Sequence, residues 1–158
     1  MILGRLASGE VVVDRCNSHL REDAARFLPD ALARIGAKGR EFLIEEVDFG
    51  RPIGETICIL TGPEDSIMYA KRPKRLGHTR FVMNRAPEPC SSLVVILMAA
   101  KEAPGLYVLI SAFIGRKAEP EPWDKNATAG SVAFWNTHAL VWGHEETVPG
   151  TETVICPW

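Results

Sequence analysis

Between Lys71 and Arg85 the chain reads Lys-Arg-Pro-Lys-Arg-Leu-Gly-His-Thr-Arg-Phe-Val-Met-Asn-Arg, with six Lys or Arg, one His and no acid. A third of all the positive charge falls in these fifteen residues, although the formal net charge is -2. Such a patch attracts phosphates, and equally any acidic partner. The plainer reading is a solvated loop broken at Pro73 and Gly77. His78 and Arg80 are two apart and lead into a strand-like Phe81-Val-Met83, so alternation sets both on one face. An imidazole can accept or give a proton near neutral pH. A guanidinium can hold a developing phosphorane charge through a forked contact. The pair therefore suits phosphodiester chemistry.

Other residues extend this set. Leu106 to Phe113 is apolar except for Tyr107 and Ser111, which are four apart and are expected to face the same way. Ser111 reads as a hydroxyl satisfied by backbone or as one turned into a cleft beside His78. Lys71, Arg72, Lys74, Arg75 and Arg85 are the candidate phosphate contacts. Tyr69 is a core residue or a ring on which a base stacks. Trp123, in the stiff stretch Glu119-Pro-Glu-Pro-Trp-Asp124, caps the core or presents its face to a base or partner. Trp135, His138 and Trp142 share one face if the segment around them is helical, which reads as a histidine packed between two indoles or as a second catalytic histidine.

The four cysteines are spread along the chain with no CxxC pair, so a disulfide framework is not expected. Cys16-Asn-Ser-His19 has a spacing found in zinc sites, but no matching second half follows. Cys58 sits in an apolar run and reads as core. Neither GxGxxG nor GxxxxGK[ST] occurs. No cofactor and no metal are expected.

These residues need a scaffold. Leu20, Ala24, Phe27, Leu28, Ala31, Leu32 and Ile35 follow the helical period, with Asn17 or Ser18 as cap. Pro29 either kinks that helix or starts a second one. Strands are expected at Glu10 to Val13, Phe42 to Phe49, Glu55 to Thr61, Ser66 to Ala70, Thr79 to Met83, Ser92 to Met98 and Leu106 to Ile114. Gly115 to Asn126 reads as a loop and Ala127 to Trp142 as a helix capped by Asn126 or Thr128. An irregular tail follows. The expected class is α+β: N-terminal helix or helices, then a curved antiparallel sheet of four to five strands, then a C-terminal helix and tail. The 158 residues are expected to form a single domain, with a core over 17–115 and an extension over 116–158.

Composition excludes several classes. With 46% apolar and 24% charged residues, the chain is neither disordered nor fibrous. No apolar stretch approaches the roughly 20 residues of a membrane-crossing helix. The N-terminus lacks the pattern of a secretory signal, so a cytoplasmic location without a membrane partner is expected.

With Gly77-His-Thr-Arg-Phe81 and the Ser111 strand behind N-terminal helices, residues 17–115 resemble the barnase/EndoU/colicin D/RelE group of metal-independent bacterial ribonuclease toxins. Ala112-Phe-Ile-Gly115 followed by Pro-Glu-Pro-Trp-Asp124 also looks like a type of small bacterial protein to which no demonstrated activity attaches. The first resemblance implies RNA cleavage through a 2′,3′-cyclic phosphate. His78 is then the general base or acid, Arg80 with Lys71 or Lys74 stabilises the phosphorane, and Ser111 orients the phosphate. It implies RNA, tRNA among the candidates, as substrate, and an acidic antitoxin or immunity protein as inhibitor. Three other readings compete. One is a non-enzymatic RNA- or protein-binding module on residues 71–85. One is an immunity-type partner using Glu41, Glu45, Glu46 and Asp48. One is a small-molecule enzyme with its pocket in the Trp-rich C-terminal part.

Overall fold

A computed structural model describes residues 1–15 and 19–158. The expected cap at Asn17 or Ser18 and the Cys16 to His19 spacing lie outside the described residues or rest on side chains that are not described. The class is α+β. Among the described residues, three helices accompany sheets in which antiparallel pairing dominates. The order differs from the one expected. Among the described residues, three strands, β1 (Ile2–Arg5), β2 (Val11–Val13) and β3 (His19–Leu20), precede the first helix, and three sheets form, not one. The chain divides into two compact units: residues 1–55 with 89–117, and residues 56–88 with 118–158.

In unit 1, the period read from Leu20 to Ile35 resolves into two short helices, α1 (Glu22–Ala25) and α2 (Leu28–Leu32). Pro29 lies in the first turn of α2, where its missing N–H costs nothing. The long strands are β4 (Phe42–Asp48), β10 (Ser92–Ala99) and β11 (Leu106–Ile114). Their sheet runs β1-β2-β11-β10-β4, with β3 also on β11. One face packs Leu43, Leu93, Val95, Leu97 and Leu109 against Leu28, Ala31 and Leu32 of α2. Each of these fully buried Leu or Val side chains stabilises the fold by about 1.5–3 kcal/mol.

A β-bulge corrects one expectation in this sheet. Ile96 pairs with Ser111, but Leu97 pairs with Leu109, so Ile110 has no partner on β10. The extra residue reverses the alternation. Tyr107 and Leu109 face the core before the bulge, and Ala112 and Ile114 face it afterwards. Tyr107 and Ser111 therefore lie on opposite faces, although they are four apart. The Tyr107 hydroxyl donates to the Arg40 carbonyl.

Unit 2 is built on a four-stranded sheet, β6-β12-β8-β7. Its strands are β6 (Cys58–Leu60), β7 (Ile67–Lys71), β8 (His78–Val82) and β12 (His138–Val141). A short ladder of β5 (Gly54–Thr56) and β9 (Glu88–Cys90) sits where the chain passes from one unit to the other. The helix expected over Ala127 to Trp142 is shorter. It is α3 (Ala129–Thr137), opened by a capping box between Thr128 and Ser131. His138 to Val141 leave the helix because they form an inner strand, bonded to β6 on one side and β8 on the other. Trp135, His138 and Trp142 consequently share no helix face. The His138 ring stacks on Phe134 at 3.9 Å, and Trp142 meets Phe81 edge-on. Among the described residues, no helix is long and apolar enough to cross a membrane.

Candidate functional site

The hairpin of β7 and β8 sets Lys71 opposite His78 and Tyr69 opposite Arg80. The expected shared face of His78 and Arg80 follows from this strand, but the two side chains have different surroundings. Arg80 is nine-tenths buried; its Nη1 donates to Thr61 Oγ1 at 2.9 Å and to the His138 carbonyl at 3.0 Å. It ties β8 to β12 and to the turn after β6. His78 is half-buried, and its Nε2 lies 3.2 Å from the Thr151 carbonyl. A carbonyl only accepts, so Nε2 carries the hydrogen and the neutral ring presents Nδ1 as an acceptor.

The terminal segment makes that contact because it adds to the free edge of β7. Tyr69 and Thr153 exchange two backbone hydrogen bonds of 2.8 Å, and Thr151 Oγ1 accepts from the Lys71 N–H at 3.0 Å. Tyr69 is buried, with Trp158 edge-on at 5.3 Å. Burial, and then a hydrogen bond with Cys156, hold its hydroxyl above the usual tyrosine value, against the opposing pull of Arg80. Tyr69 is a core residue here and offers no free face to a base.

The basic segment divides sharply by partner. Arg72 Nη2 lies 2.6 Å from Glu121 Oε2, both largely buried, and Arg72 Nε donates to Thr79 Oγ1. Arg85 bonds Asp65 at 3.0 Å and Glu88 at 2.6 Å. The Gly62 N–H, and after it Arg85, hold the Asp65 carboxyl below the usual range. Three of the six cations are thus committed internally. Lys71, Lys74 and Arg75 have no carboxylate partner among the described residues, and Lys74 and Arg75 are exposed. Lys74 sits at the turn with φ +63°, a left-handed conformation that costs a residue with a Cβ about 1 kcal/mol.

A pocket of about 260 Å³ opens beside this segment, lined by Gly77, His78, Pro122, Trp123, Pro157 and Trp158. It brings together two residues singled out from the sequence, His78 and Trp123. Trp158 and Pro157 were missed because the tail reads as irregular. The Pro157-Trp158 pair, following Val154-Ile-Cys156, was the available signal. Trp158 is held by a 2.9 Å bond from Nε1 to Asn136 Oδ1. Trp123 Nε1 is buried with no partner among the described residues, which costs about 1–3 kcal/mol.

Ser111 lies in unit 1, on the face of the sheet away from its core, where register sets it opposite His19 of β3. His78 lies in unit 2. Cys58 is half-buried on β6; burial, reinforced by Glu121, pushes its thiol up to about 11, so it stays protonated at neutral pH. Among the described residues, no three His, Cys, Asp or Glu side chains gather as a metal site.

The class that the structure defines is α+β with two compact units. Comparison of the chain with protein-family models, with curated proteins and with solved structures found no match in any of the three.

Proposed function

We propose that unit 2 is a module that binds single-stranded RNA. A base stacks in the pocket of His78, Trp123 and Trp158, and the flanking phosphates lie on Lys71, Lys74 and Arg75. One observation carries this reading: two indoles and an imidazole line a pocket beside the cations of the basic segment that have no carboxylate partner among the described residues. Ring faces next to free cations are what a single strand needs, because every base has a face to stack and every linkage has a charge. Three phosphate contacts give a slope of about -2 for log affinity against log salt.

A stronger form of the reading is metal-independent cleavage, favoured by the bond between His78 Nε2 and Thr151. It leaves Nδ1 as a base for the ribose 2′-hydroxyl. The 2′-oxygen then attacks phosphorus, the P–O5′ bond breaks, the 5′-oxygen takes a proton from water, and a 2′,3′-cyclic phosphate remains while the imidazolium returns its proton to solvent. Lys71 or Lys74 offsets the phosphorane charge, because Arg80 is bonded inward. An acidic inhibitory protein would cover the same three cations.

The test uses purified protein beside a His78→Ala variant, with tRNA and mixed single-stranded RNA in EDTA, read by anisotropy and by gel. Binding by both, with cyclic-phosphate ends from the wild type alone, supports the stronger form. Binding by both without cleavage leaves the module and removes the chemistry. No binding at low salt by the folded wild type overturns the reading.

A further inference from the structure

The two indoles of the pocket differ in one respect. Trp158 has its N–H satisfied by Asn136 and its ring braced by Tyr69. Trp123 Nε1 is the one buried side-chain nitrogen or oxygen without a partner among the described residues. An indole nitrogen only donates, so what it lacks is an acceptor. Trp123 is held instead by close approach to Gly77, where an added Cβ would fall 2.7 Å from its Cδ1. Trp158 is thus a fixed wall, and Trp123 is a wall with an unused donor.

We infer that Trp123 selects the base. On ligand entry its ring turns from the Gly77 backbone, and its N–H bonds a base that presents an exocyclic oxygen, uracil or guanine, in preference to adenine. This rests on the RNA reading of the same pocket. Nε1 is shielded from solvent, so an acceptor meets it only after that rotation. Stacking is tolerant of sequence, and phosphate contacts carry no sequence information. Discrimination therefore falls to a polar group in the pocket. A donor left facing the amino group of adenine stays unpaired, whereas one facing an oxygen does not.

The experiment compares three RNA octamers of equal charge: oligouridine, oligoadenosine, and oligoadenosine with its four central bases replaced by inosine. Inosine carries an oxygen where adenine carries the amino group. Anisotropy at low salt is expected to show oligouridine and the inosine octamer binding about fivefold tighter than oligoadenosine. Trp123→Phe keeps a ring and drops the donor. It should bring all three within about twofold of one another, whatever the smaller ring does to stacking common to the three. A wild type that does not favour the inosine octamer overturns the inference, without needing any variant. So does a preference that survives in Trp123→Phe. Failure of every octamer to bind the wild type overturns the RNA reading itself.

Discussion

Gly77 and Trp123 approach so closely that a Cβ built on Gly77 would lie 2.7 Å from Trp123 Cδ1 and closer still to its Cβ and Cγ. The Gly77 backbone is outside the left-handed region, so conformation does not demand glycine there. The approach of the indole does. Gly77→Ala should cost about 1–3 kcal/mol through overpacking. Gly62→Ala, with nothing within 4 Å of the added carbon, should stay within about 0.5 kcal/mol of wild type. Urea unfolding of the two variants checks the contrast.

Lys74 joins strain to charge. With φ at +63°, Lys74→Gly removes a conformational cost and should raise stability by up to about 1 kcal/mol. The same change deletes one of the three cations of the basic segment without a carboxylate partner among the described residues, so the salt slope of RNA binding should shrink by about 0.7. A variant that is both more stable and a weaker binder would mark this turn as one where function is kept at a cost in stability. Urea midpoints and anisotropy across a salt series measure the two effects.

Arg72 and Glu121 behave as a structural pair. Glu121→Gln leaves a largely buried guanidinium without its carboxylate, and a loss of about 3 kcal/mol is expected. Because Arg72 does not face RNA in this account, the salt slope should be unchanged at temperatures where the variant is folded. Chemical denaturation and the binding series read these two quantities separately.

Cys58 imposes an alkaline limit. Its folded value is about 11 against an ordinary 9.0. The unfolded chain loses this proton first as pH rises, so the stabilisation is complete below about pH 9 and is lost between about pH 9 and 11, by about 2–3 kcal/mol. Cys58→Ala should flatten that part of the curve of unfolding free energy against pH. An unchanged slope would show that other groups control it.

What the sequence revealed was local. The apolar runs of β10 and β11, the two helices around Pro29 and the Thr128 cap all depend on neighbours within a few residues. The bulge at Ile110 depends on register with β10, so the parity of Ser111 could not be read from spacing. His138 to Val141 continue an apolar pattern that fits a helix, and only the ladders of β6 and β8 draw them into a strand. The basic segment was countable, but Glu121, the acid that neutralises Arg72, lies 49 residues away. The pocket likewise needs Trp123 and Trp158 to return to the Gly77 turn, which is a long-range event.

The most direct measurement is the affinity of a fluorescent single-stranded RNA octamer for the wild type and for Trp158→Ala, in EDTA and at matched salt. The Trp158 side chain carries no charge, so Trp158→Ala leaves the charge of the chain unchanged, and its contribution to binding is the stacking wall. Binding to the wild type that weakens about tenfold in the variant is the predicted result. Equal affinity in the two folded proteins would contradict the account.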